Sequence, residues 1–166
     1  MEVLDKIAEL EQKKEFKEWK KKNKSSFLSY VMKVIENPPN EEWQIGFFDK
    51  EKDKITTFSL LTNSVTVNTD EDVFKKEEEV IKEIELPKVK LSLMDAVEIS
   101  KRAQEKKFPA QKPIKIISIL QHLPKMGTVW NITYVTTNFS TLNFKISSTD
   151  KKILRLKEAK LFEFQK

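Results

Sequence analysis

Apolar and polar side chains alternate with period two through much of the second half of the chain. Trp130, Ile132 and Tyr134 fall on one side of an extended strand and Asn131, Thr133 and Val135 on the other. Leu142, Phe144 and Ile146 alternate in the same way with Asn143, Lys145 and Ser147. Such strands lay one face on a core. Phe27 to Val34, Trp43 to Phe48, Ile55 to Leu61, Val65 to Val67 and Ile114 to Leu120 are predicted as further strands, because β-branched and aromatic residues dominate them. Asp49 to Lys54 is charged throughout and makes a polar hairpin tip.

Two stretches carry the helical period instead. Ser92 followed by Asp95 is an N-terminal capping pattern, after which Leu93, Ala96, Val97, Ser100, Ala103 and Gln104 share one face. Pro109 and Pro113 end that helix near Phe108. A first helix is predicted from about Glu2 to Lys22. Val3, Leu4, Ile7 and Leu10 cluster on one side of it, whereas Phe16 and Trp19 fall more than a quarter turn away. That is more apolar surface than one flat sheet face covers, so Val3, Ile7 and Leu10 are a candidate partner or dimer face. Residues 73–85 fit either a helix capped by Thr69 or a strand.

The two halves resemble each other. Trp43-Gln44-Ile45-Gly46-Phe47 matches Trp130-Asn131-Ile132-Thr133-Tyr134 at an offset of 87, and Asn68 to Phe74 matches Ser148 to Leu154 at an offset of 80. The expected fold is therefore α+β, with two tandem repeats over residues 1–86 and 87–166, each one helix packed on its own twisted antiparallel sheet. Units of about 80 residues have thin cores, so the two are expected to pack together. The order of the second unit, from capped helix through the Trp-x-Ile-x-Tyr strand and Leu142 to Ile146, then a turn into Ile153-Leu154, resembles the PepSY family. That resemblance covers about residues 91–156, more faintly 4–74, and implies a cystatin-like helix-on-sheet fold. It also implies a non-catalytic binding or inhibitory module, often extracytoplasmic and associated with peptidases. Ser147 and Lys151 stand where the family pattern has Asp and Gly.

Composition narrows the chemistry. The 166 residues contain no cysteine, a single histidine (His122) and two glycines (Gly46 and Gly127). Thiolate metal sites, cysteine nucleophiles, multi-histidine metal sites and glycine-rich phosphate loops are thereby excluded. No cofactor is expected, and no enzymatic activity. His122 reads as a turn histidine, and Asp70-Glu71-Asp72 lacks the glycine and distal glutamate of a calcium loop. No apolar run is long enough to span a bilayer and no signal-like segment opens the sequence, so a cytoplasmic protein is expected. The Lys/Glu bias is compatible with a thermophilic source.

Charge supplies an alternative function. The net charge is +5, and Lys13, Lys14, Lys17, Lys20, Lys21, Lys22 and Lys24 interleave with Phe16 and Trp19. Such a segment could follow phosphates while an aromatic ring stacks on a base. Against it, the aromatics and most of the lysines fall on different helix faces, and with only two arginines, planar bidentate recognition is scarce. The favoured reading is a binding or regulatory module for an unknown protein or peptide, a homodimer being one form such pairing could take. Exposed sheet faces or edges are its expected contact surfaces.

Overall fold

The computed structural model describes residues 2–70 and 80–161. In chain order the elements are α1 (Glu2–Gln12), α2 (Lys14–Lys22), β1 (Phe27–Glu36), β2 (Trp43–Asp49), β3 (Lys54–Leu60), β4 (Val65–Asp70), a 3-10 turn at Leu86–Lys88, α3 (Leu93–Lys107), β5 (Pro113–Leu123), β6 (Gly127–Thr136), β7 (Ser140–Ser147) and β8 (Ile153–Lys160). All strands join one antiparallel sheet in the order β4-β3-β2-β1-β5-β6-β7-β8.

This corrects the expectation of two tandem helix-on-sheet repeats. The sheet is single and undivided, because β1 and β5 pair directly from Tyr30↔Gln121 to Glu36↔Lys115. Both strands are apolar on both faces, which suits mid-sheet positions rather than edges. The boundary expected at residues 86 and 87 falls in the connection to α3, and the sheet runs on across it. The sequence match also fails in detail. Trp43 and Trp130 stand in β2 and β6, but Thr69-Asp70 ends β4 while Thr149-Asp150 lies in the turn between β7 and β8. The tryptophans have different surroundings: the Trp130 indole donates to Leu91 O at 2.9 Å, whereas Trp43 lies beneath the Lys33 ammonium, 5.5 Å from the ring centroid.

The helices cover one face of the sheet. Register places Val31, Ile45, Phe58, Leu120, Trp130, Ile132, Tyr134, Leu142, Phe144 and Ile146 on that face, all buried. The mismatch between the two apolar sides of the first helix is resolved by a break. Lys13 takes an extended conformation (φ −68°, ψ 140°), so α1 and α2 turn independently. Val3, Ile7 and Leu10 are then buried from α1, and Phe16 from α2 packs on Phe47 and Phe58 with ring centroids 5.1 and 5.3 Å away. Leu4, grouped with them on the helical wheel, is left exposed. Each large side chain so buried contributes roughly 1.5–3 kcal/mol, enough to favour a broken helix over a straight one with Phe16 in water. In α3, Ser92 Oγ accepts from Asp95 N at 3.1 Å, and Leu93, Ala96, Ser100 and Gln104 form the buried side. Of residues 73–85, residues 80–85 are neither helix nor strand, and the rest lies outside the described residues.

Candidate functional site

Among the described residues, no helix lies on the opposite face of the sheet. Where β1 meets β5, register sets Met32 opposite Ile119 and Val34 opposite Ile117, on that uncovered side. All four are half-buried, so they form a floor rather than protruding knobs. Toward the start of β1 the floor deepens into a cavity of about 310 Å³, lined by Tyr30, Met32, Ile55 and Ile119, walled by Val80 and Ile81, with His122 among its lining residues. The Tyr30 hydroxyl lies 2.7 Å from Thr57 Oγ1, and its ring crosses Gly46. Any Cβ at position 46 would overlap that ring, so the glycine is required by this close approach.

Among the described residues, the titratable groups lining the cavity are Tyr30 and His122. His122 Nδ1 lies 3.5 Å from Thr128 Oγ1, a long contact to a neighbouring strand. Among the described residues no group of three or more His, Asp or Glu side chains is placed to hold a metal ion. Glu71 and Asp72 of the acidic triplet lie outside the described residues.

Beyond β5 the uncovered face turns polar. The amide of Asn143 donates to Asn131 Oδ1 at 2.7 Å and to Thr133 Oγ1 at 2.9 Å, and Lys145 Nζ donates to Asn143 Oδ1 at 2.9 Å. Arg155 stands opposite Lys145 and Lys157 opposite Asn143 on the edge strand. Burial, followed by the charges of Arg155 and Lys157, pushes the Lys145 ammonium below its ordinary range.

The residues picked out from sequence lie elsewhere. Val3, Ile7 and Leu10, expected as a partner face, are buried within the chain's own core. Lys13 pairs with Glu9 at 4.0 Å and Lys14 with Glu18 at 3.7 Å. Lys17, Lys20, Lys21 and Lys24 gather around a shallow cavity of about 390 Å³ with Glu11 and Phe16, and Lys20 donates to Ser26. The aromatics meant to stack on bases are occupied: Phe16 is buried and Trp19 is half-buried, in edge contact with Phe58 at 5.2 Å. The row Met32, Val34, Ile117 and Ile119 was not singled out from sequence. Its signal was there, in two strands apolar at successive positions where a one-faced strand would alternate.

No family model and no curated protein matches the chain. Among solved structures, it is similar to the crystal structure of a "putative lipoprotein" from Clostridium difficile 630, with a TM-score of 0.56 and 15% sequence identity over 90% of this chain and 97% of that one. At that identity the likeness concerns the fold. No described helix is long and apolar enough to cross a membrane.

Proposed function

We propose that the protein is a non-catalytic binding module that takes a protein or peptide partner on the uncovered face of its sheet. The observation that carries this reading is the apolar floor of Met32, Val34, Ile117 and Ile119, set mid-sheet and continuous with the 310 Å³ cavity. An eight-stranded sheet measures about 34 Å across at roughly 4.8 Å per strand, wide enough for a contact near the ~800 Å² per partner of ordinary protein interfaces. Nucleic-acid association is less well supported, because its stacking residues belong to the core.

A photo-crosslinking residue tests the proposal when placed at Ile117 and, as a control, at the exposed Met94 on α3. In cells that naturally make the protein, the expected result is a polypeptide adduct of discrete mass at position 117. It should be absent at 94 and abolished by Met32→Glu. Absence of any polypeptide adduct at 117 would overturn the reading.

A further inference from the structure

We infer that the segment bound on the uncovered face is acidic, and that Lys145, Arg155 and Lys157 receive its carboxylates. This rests on the proposed role of that face and names the chemistry of what occupies it.

The three cations adjoin through the β7–β8 register, with Lys145 directly across from Arg155 and Lys157 one face position further along β8. Like charges set directly opposite one another disfavour strand pairing. Some cations elsewhere have a carboxylate partner, as in Lys6–Glu9, Lys14–Glu18, Glu98–Arg102 and Glu36–Lys115. Here the neighbouring positions on the same face are Asn131, Thr133, Thr141, Asn143, Ser147 and Ala159, with no carboxylate among them. Among the described residues Arg155 and Lys157 have no ion pair, and Lys145 is anchored by an amide that is itself held by Asn131 and Thr133. The ammonium is thus positioned while its charge is left uncompensated. An anion arriving there converts an unfavourable cluster into a favourable one.

Three features select a polypeptide carrying carboxylates over other anions. The backbone N–H groups of β7 are committed to its neighbours on both sides, so none of them is free to cradle a phosphate beside Lys145. The apolar floor begins two to three strands away, about 10–14 Å at the usual spacing, so one bound chain spans both surfaces. Finally, floor residues that are half-buried do not insert into a bilayer.

Guarding an edge strand against aggregation is the competing explanation for Arg155 and Lys157. It does not cover Lys145, which lies in the interior strand β7. The two also differ in outcome, since a guard works with either sign of charge and a carboxylate site does not.

The experiment is a titration of the whole protein, followed by amide NMR, with poly-L-glutamate of about 30 residues. Parallel arms use inorganic phosphate and phosphatidylglycerol vesicles. Expected are shifts centred on Lys145, Arg155, Lys157 and the Asn143 side chain, with affinity falling at least about tenfold in R155E/K157E and unchanged in K14E/K17E. Shifts confined to the α2 lysines, indifference to R155E/K157E, or binding of phosphate or vesicles with none of poly-L-glutamate would each overturn the inference. A discrete adduct at position 117 together with inert poly-L-glutamate removes this inference alone. Poly-L-glutamate binding at the three cations with no adduct at 117 removes instead the reading of the face as a protein-binding surface, and the claim about its bound segment with it.

Discussion

The two halves of the sheet follow the same order, a helical layer and then four strands in sequence, yet they solve the same packing problem with different chemistry. Over β2 and β3 the helix layer is attached by apolar packing centred on aromatic rings: Phe16, Trp19, Phe47 and Phe58 meet at centroid distances of 5.1 to 5.9 Å. Over β6 and β7 it is pinned by hydrogen bonds inside the core, from the Trp130 indole to Leu91 O and between Tyr134 and Ser100 at 2.7 Å. Ring packing is non-directional and tolerates substitution, whereas buried hydrogen bonds fix one arrangement and are costly to leave half-made. The outer faces diverge too. The first half lays Tyr30 over Gly46, and the second carries amides and cations. Shared strand order therefore fixes the scaffold, and the surface chemistry on it is set independently in each half.

The largest break in this comparison comes from the tryptophans. Trp130→Ala removes a fully buried indole and strands the Leu91 carbonyl, so it should cost about 3–5 kcal/mol, plus a share of the 1–3 kcal/mol for an unsatisfied acceptor. Trp43→Ala, whose indole makes no hydrogen bond among the described residues, should cost less. At about 2–4 °C per kcal/mol for a chain of this size, thermal melts resolve the difference. Equal losses would mean that the hydrogen-bonded anchor is not what distinguishes the halves.

Gly46→Ala comes next. Its Cβ overlaps the Tyr30 ring, which must swing off the sheet and give up its bond to Thr57, at a cost of about 1–3 kcal/mol. In the second half the equivalent position already holds Thr133, so Thr133→Ala meets no such clash and should cost only the hydrogen bond from Asn143, about 0.5–1.5 kcal/mol. The double variant G46A/Y30A should lose less than the sum of its parts, as chemical denaturation would show. Strict additivity would remove the ring as the cause.

Tyr134→Phe is a smaller change, about 1 kcal/mol, because Ser100 keeps its bond to Val97 O at 2.7 Å. It also carries a pH signature. Burial, only partly opposed by the Ser100 hydrogen bond, raises the Tyr134 phenol above its ordinary value. The folded state therefore holds this proton where the unfolded chain has lost it, and this contribution to stability declines as pH rises past about 10. The phenylalanine variant should lack that component, and the difference between the two melting-versus-pH curves isolates it from the lysines.

Much of this was legible locally. The Ser92 cap, the α3 face and the alternation in β6 and β7 are short-range patterns, and the structure contains them. Three things were not legible, each for a physical reason. The direct β1–β5 pairing joins residues 79 to 91 positions apart, and a strand's period says which face is buried but not which neighbour it takes. The break at Lys13 depends on a sheet broad enough to receive Phe16 and Ile7 together, and a helical wheel drawn straight through it turns core residues into a surplus face. The cation cluster appears only once β7 and β8 are in register, since Lys145 and Arg155 are ten residues apart and unremarkable among 31 basic side chains.

The smallest expected effect runs against the usual direction for a half-buried residue. Lys145→Gln keeps a group able to donate to Asn143 and removes one of the opposed charges, so it should leave the fold equally stable or slightly more so. The gain falls at the low end of the about 0.2–1 kcal/mol assigned to cross-strand charge pairs, because solvent screens a half-exposed ammonium. Its sign follows from linkage. A lysine pKa depressed by folding means the unfolded chain binds the proton more strongly, so the penalty is fully present below the folded-state value and disappears above the ordinary value near 10.4. The variant should therefore outlast the native protein at neutral pH, with the gap closing toward pH 10–11, while poly-L-glutamate binds it more weakly. Stability and binding moving in opposite directions is what a charge kept for a partner produces. A variant that loses both together would return Lys145 to the ordinary polar ladder of the sheet.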